Sequence, residues 1–206
     1  MWAIVKSGSI TQLINNPKSL VIDNVRHSRK IFELWSKSEL EAKGIYEVEF
    51  DNSNKKDEQW YINTNQSFAF AGGKITASYG SATAKAHADT LFTAQDETAG
   101  LGTEGEVKTR GLKYNLIQTI KKQAAGILQD TDWYITRKAD AGTAVPSSIT
   151  THRAAVRTKA ASMETAITNA SDTPALETLY TYVNTADEGD PVVMERPLGE
   201  LPRLES

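Results

Sequence analysis

The sequence predicts an α+β protein: a small N-terminal antiparallel β-domain with one short helix, a Gly-rich linker, and a C-terminal bundle of about three helices. Three observations carry that expectation. Over residues 1–80 apolar and polar side chains alternate in short runs cut by glycine turns, the period-2 pattern of half-buried strands. From Leu112 onward the apolar residues recur at steps of three and four, the helical period. Between these regions, residues 81–111 hold five acids, three bases and several glycines, and no periodicity survives. The chain therefore reads as a β-rich domain (1–80), an acidic linker or long loop (81–111), a helical domain (112–185) and an acidic tail with a short strand (186–206).

Each element has a local cause. Trp2 to Lys6 and Ile10 to Ile14 flank Ser7-Gly8-Ser9 as a hairpin. Leu20-Val21-Ile22 and Ile45 to Phe50 read as strands; the second alternates Ile45, Glu47 and Glu49 against Tyr46, Val48 and Phe50, which predicts one buried face. In "WSKSELEAKG", Ser36 followed three residues later by Glu39 is a capping box, and Gly44 stands just past the helix end. Trp60 to Asn63, Ser67 to Ala71 and Lys74 to Tyr79 complete the strands, the last two joined by a Gly72-Gly73 turn.

Leu116, Ile117, Ile120, Ala124, Ile127 and Leu128 form the stripe of the first long helix. Val145-Pro146 enforces an extended residue and then permits a helix start, and Val156, Ala160, Met163 and Ile167 line the second. Thr173-Pro174 reads as an N-cap with Pro at the first helical position, opening a third helix with Leu176, Leu179, Tyr180 and Val183. Val192 to Met194 is the short strand of the tail.

Composition removes several function classes. At 206 residues the chain can bury a core without staples, and the absence of cysteine excludes disulfides, thiolate zinc sites and Cys nucleophiles. A net charge of −3, from 23 basic and 26 acidic residues, argues against a nucleic-acid partner. The start, Met1-Trp2-Ala3-Ile4-Val5-Lys6, lacks a signal peptide's basic and apolar regions, and no window approaches the roughly 20 apolar residues of a membrane span. The expectation is a soluble protein made in the cytosol, with no membrane partner.

Four patterns invite chemistry and fail on physical grounds. "GLGTEG" (100–105) matches a dinucleotide fingerprint in letters, but "AQDETA" rather than a strand precedes it, and Glu104 and Glu106 would repel phosphate. Asp140, Ser148 and His152 suggest a hydrolase, and Ser148 and His152 share a helix face, yet the site lacks the sharp turn and oxyanion donors that acyl transfer needs. His27, His87 and His152 are too far apart to make a ligand-spaced metal pair, and Asp187, Glu188 and Asp190 lack a calcium loop's pattern. The run with Arg137, Lys138, Arg153, Arg157 and Lys159 is basic, but with only Trp133-Tyr134 beside it a protein partner fits better than a nucleic acid. No catalytic residue, metal site or cofactor is therefore expected.

The stretch "LKYNLIQTIKKQAAGILQDTDWYITRKADAGTAVPSSITTHRAAVRTKAASMETAI" resembles the C-terminal region of bacteriophage tail-fibre assembly proteins and tail chaperone-like proteins of tailed phages. The shared features are a helix ending at Leu128, the Thr131-Asp132-Trp133 turn, a polar Arg-bearing segment, Val145-Pro146, and a helix with His152-Arg153-Ala154-Ala155-Val156-Arg157. More loosely, "IFELWSKSELEAKGIYEVEFD" is similar to the small β-domain that opens many such proteins. The resemblance implies a non-enzymatic protein that helps a phage tail fibre fold or trimerise, acting in the host cytoplasm or staying in the virion tail. A permanent structural protein of the tail or fibre is the alternative, and an enzyme acting on host surface glycans a third class. Within the motif Thr131, Asp132 and Pro146 are structural candidates, Asp132 as a cap. Trp133, Tyr134, Arg153 and Arg157 are candidates for partner contact, although Trp133 reads first as a core plug between the helices and only second as a partner anchor.

Overall fold

The computed structural model describes residues 1–204; Glu205 and Ser206, the end of the acidic tail, lie outside the described residues. The chain forms an α+β structure of two compact units, Met1–Thr83 and one that begins at Ala84.

The first unit contains β1 (Trp2–Lys6), β2 (Ser9–Ile14), β3 (Leu20–Ile22), β4 (Val25–His27), α1 (Ile31–Leu34), α2 (Lys37–Ala42), β5 (Ile45–Asp51), β6 (Tyr61–Ile62), β7 (Ser67–Ala71) and β8 (Lys74–Ser78). Five strands make one sheet in the order β2-β1-β5-β8-β7. Its pairings are antiparallel with one exception: β5 and β8 run parallel, Val48 opposite Ile75 and Asp51 opposite Ser78. Residues 52–73 supply the long crossover that a parallel pair requires. Period-2 alternation is the same in either direction, so the sequence pattern alone cannot distinguish them.

The sheet curls until its outer strands, β2 and β7, approach one another. Inside the curl lie Ala3, Val48, Ile75 and Ala77, packed by Val5, Ile10, Tyr46, Phe68 and Phe70. On the opposite face Ile14, Leu20, Ile31, Leu40 and Ile45 form a second cluster with Trp2, Phe32 and Trp35. The expected single buried face of β5 is thus corrected: Ile45 packs on one side and Val48 on the other, because α1 and α2 cover the sheet's outer face. Helix α1 has no sequence counterpart above; four residues are too few to show a helical period.

The local signals are present in atomic detail. Ser36 Oγ accepts from the Glu39 backbone N–H at 3.3 Å, and the Ser36 N–H donates to Glu39 Oε2 at 2.7 Å. The Ser36 side chain and backbone together hold the Glu39 carboxyl below its ordinary pKa. Gly44 has φ +72, and a Cβ there would stand 2.6 Å from the Val5 carbonyl oxygen. Its own carbonyl accepts from the Val5 N–H at 2.8 Å, so the helix end is fastened to β1.

The second unit follows β9 (Thr83–Ala84), which spans the division, and contains β10 (Thr90–Leu91), α3 (Ala94–Thr98), β11 (Val107–Thr109), α4 (Leu112–Gln129), α5 (Asp132–Ala141), α6 (Ser147–Asn169), α7 (Thr173–Tyr180), β12 (Val183–Asn184) and β13 (Met194–Glu195). Residues 81–111 are therefore built rather than a featureless linker. β10 pairs with β11, and α3 is closed by a Thr93/Asp96 capping box. Lys108 Nζ reaches Asp96 Oδ1 at 2.7 Å, while Asp89 takes Arg110 Nη1 and the Gly111 N–H, each at 2.7 Å. The Lys108 and Thr93 hydrogen bonds hold the Asp96 carboxyl down at about 2. "GLGTEG" belongs to this motif, with the Phe92 ring lying where a Gly102 side chain would start. Side-chain-to-backbone bonds organise the segment, so no hydrophobic period announces it.

Four helices, not three, occupy residues 112–185. Ile120 and Ala124 of α4 are buried, as are Val156, Ala160, Met163 and Ile167 of α6, and these two helices make the main packing of the unit. The cap of α7 is Asp172, whose carboxylate accepts from Ala175 N–H at 2.8 Å. Thr173, assigned that role by sequence, instead buries its hydroxyl and donates to the Lys85 carbonyl at 2.6 Å. In the tail, β13 starts at Met194 and pairs with β12, so Val183 belongs to a strand and not to the third helix. Among the described residues no helix is long and apolar enough to cross a membrane.

Candidate partner-binding site

The Thr131-Asp132-Trp133 motif is the joint between two helices. α4 ends at Gln129 and α5 begins at Asp132, leaving Asp130 and Thr131 to turn the chain. The polar Arg-bearing segment after Trp133 is thus a ten-residue helix, which the sequence reading did not contain. Its absence there has a plain cause: α5 buries none of its residues fully, so it has no apolar stripe to detect.

What holds this helix is Arg153, from α6. Its Nη1 donates to the Leu128 carbonyl at 2.7 Å and to Thr131 Oγ1 at 2.6 Å, and its Nη2 meets Asp132 Oδ1 at 2.8 Å. The Thr131 hydroxyl, itself buried, passes its own proton to the Leu128 carbonyl at 3.0 Å. A single guanidinium therefore satisfies the open C-terminal carbonyl end of α4 and neutralises a carboxylate in the first turn of α5. Both placements are favoured by the helix dipoles. The planar fork matters, because a lysine ammonium cannot direct rigid parallel donors at the carbonyl and the carboxylate together.

Two expectations are corrected by this geometry. Arg153 is only 7% exposed and is a brace, not a partner contact. Its position carried a signal, since Ile149, Arg153, Val156 and Ala160 fall on one helical stripe, all buried. Asp132 does not cap: Thr131 is the N-cap residue and makes no side-chain capping bond, while the Asp132 carboxylate is engaged by Arg153. Pro146 has φ −55 and ψ 143 and is itself the extended residue before α6, which starts at Ser147.

Trp133 is not a plug. It is 55% exposed, with Ile135 of the same helix at 43%. The Arg137 guanidinium lies over the Trp133 ring, 4.5 Å from its centroid, and 5.5 Å from that of Tyr134, while the two rings sit 5.2 Å apart. This stack pre-orders three long side chains, which lowers the entropy lost when a surface covers them. Ile135 and Arg137 were not among the site candidates; the i, i+4 spacing of Trp133 and Arg137 was their available signal. Arg157 is exposed and makes no ion pair among the described residues.

No family model, curated protein or solved structure matches the chain.

The residues considered for catalysis do not converge. Ser148 is exposed at the start of α6, His152 is buried one turn later, and no hydrogen bond joins them to each other or to Asp140 among the described residues. His152 instead lines a cavity of about 350 Å³ with Ile127, Asp130, Thr131, Arg203 and Leu204. No group of three or more His, Asp or Glu among the described residues is gathered to hold a metal ion. The arrangement is suited to contact: a rigid aromatic and cationic face on a short helix, fixed from behind by a buried arginine.

Proposed function

We propose that the protein is a phage tail-fibre assembly or fibre-bound accessory protein that acts by protein–protein binding through the exposed face of α5. The observation that carries this reading is Trp133, which stands 55% exposed on a helix otherwise secured by the Arg153 brace. Trp, Tyr and Arg are the residues that dominate binding energy at protein interfaces, and here they are adjacent and mutually stacked. The resemblance of residues 112–167 to fibre-assembly proteins supplies the class of partner. A fibre chain before trimerisation exposes apolar seams and unpaired strand edges, and covering them suppresses aggregation. The work is done in the host cytoplasm and requires no catalytic group.

Co-expression tests the proposal. A fibre polypeptide of the same phage, produced with this protein, is expected to yield soluble trimer, and omission of the protein is expected to divert it to aggregate. Equal trimer yield with and without the protein would remove the assembly role. Mass spectrometry of purified particles then separates a transient chaperone, absent from the virion, from a permanent tail component present in fixed stoichiometry.

A further inference from the structure

The cations of the first unit are unevenly neutralised. Lys37, Lys43, Lys55 and Lys74 pair with Glu41, Asp23, Glu58 and Glu49 respectively. Six others have no ion pair among the described residues: Lys6 and Lys56, which stand apart, and Lys18, Arg26, Arg29 and Lys30, which fall together within residues 18–30. That segment carries four cations and one acid, Asp23, a net of +3 (4 − 1) with His27 neutral. The single acid is committed elsewhere: it lies at the hairpin tip and takes Lys43 Nζ at 2.9 Å.

The β3–β4 hairpin explains the clustering. Leu20 pairs with His27, Val21 with Arg26 and Ile22 with Val25, around a tip in which Asp23 and Asn24 have φ of 51 and 62. This register brings Lys18 and Ser19 alongside Ser28 and Arg29 at the hairpin's open end. An open pocket of about 440 Å³ lies there, lined by Lys18, Ser19, Arg26, His27, Ser28 and Arg29, with no carboxylate in its wall. The His27 ring is set edge-on against Trp35, with centroids 5.0 Å apart, which fixes one side of the pocket.

We propose that this pocket binds a phosphate monoester. Like charges gathered without counter-charge repel one another, and an anion seated among them relieves that repulsion. The donor set decides which anion. The residues lining the pocket carry two guanidinium groups, an ammonium, an imidazole and two hydroxyls, a positive set better suited to the near −2 charge and three terminal oxygens of a phosphate ester than to a carboxylate. The pocket's volume falls in the range of small-molecule sites, roughly 300–1,000 Å³, so it has room for the organic group that bears the phosphate. The ester is carried either by a soluble small molecule or by a phosphorylated polymer; both offer the same group.

The full chain, isotopically labelled, is titrated by NMR with glucose 6-phosphate, glucose, inorganic phosphate and an acidic hexapeptide, and separately with a phosphorylated and a dephosphorylated polysaccharide. Saturable shifts confined to residues 18–30 are expected with glucose 6-phosphate and not with glucose, weakening as salt rises. Tighter binding of the phosphorylated polymer than of the monomer identifies a polymer ligand, and equal binding a soluble one. Arg26→Gln with Arg29→Gln is expected to weaken binding by about tenfold or more, and Arg29→Gln alone by less. Because the unmutated chain maps its own site, a misfolded double variant leaves the test intact. Absence of shifts, shifts elsewhere, or saturation by the acidic peptide but not the phosphate ester would overturn the proposal.

Discussion

The two units solve the same problem, fixing short elements in place, by different means. In Met1–Thr83 the sheet carries apolar side chains to both of its faces, and aliphatic burial holds almost every element, down to the four-residue α1 through Ile31. In the second unit α4 and α6 share an apolar seam, yet α5 buries no residue fully and is braced at its start by one buried guanidinium. In the first unit a short element can be held by one apolar residue and still show another, as α1 buries Ile31 while Leu34 stands 75% exposed. In α5 the polar brace at the helix start leaves Trp133 and Ile135 outward, with no fully buried residue on the helix itself.

That contrast makes the largest mutational effects differ in kind. Ile75→Ala, at a position with no exposure inside the curled sheet, is expected to cost about 3–4 kcal/mol in denaturant unfolding, with Ile75→Val near 1, because the loss follows the volume removed. Arg153→Ala is expected to cost about 3 kcal/mol, by removing the charge-assisted bonds to the Leu128 carbonyl, the Thr131 hydroxyl and Asp132 and leaving the space of the buried side chain empty. Arg153→Lys should recover only part of this, and hydrogen exchange should quicken first in α5. If Arg153→Leu were as stable as the parent, packing rather than the brace would hold the helix. Next in size is Gly44→Ala, at about 2 kcal/mol, since φ of +72 and the Val5 carbonyl at 2.6 Å both oppose a Cβ.

The smallest effect is a titration. The Asp96 carboxyl has an ordinary pKa of 3.8 and stands at about 2 in the fold, so its stabilising contribution is complete above pH 4 and disappears as pH falls from about 4 through 2. Amide exchange in α3 should accelerate across that window, and Asp96→Asn should abolish the pH dependence there. An unchanged profile in Asp96→Asn would mean that other carboxylates set the acid limit of the motif.

How much of this was legible in the sequence follows from which forces were used. Where backbone geometry or apolar period fixed an element, the letters carried it: the Gly72-Gly73 turn, with φ of +58 and +76, the Ser36/Glu39 capping box and the start of α4 at Leu112. The parallel pairing of β5 with β8 was hidden, because strand direction is a long-range property with no local period. Residues 81–111 looked structureless because Asp89, Thr93 and Asp96 organise them through hydrogen bonds rather than burial. The site was half legible. Thr131, Trp133 and Tyr134 stand out in the sequence, but Arg153 reads there as one of a basic run although its helical stripe is apolar, and Trp133 reads as core because large aromatics are mostly buried.

The central claim is that Trp133 is displayed for a partner and contributes little to the fold. Trp133→Ala, examined beside the parent for both unfolding free energy and fibre trimer yield on co-expression, tests it most directly. The account predicts stability within about 0.5 kcal/mol of the parent, as for a surface substitution, together with loss of most of the trimer yield. A Trp133→Ala protein that unfolds more easily by about 3 kcal/mol, as a core truncation would, or one that supports fibre assembly fully, would contradict it.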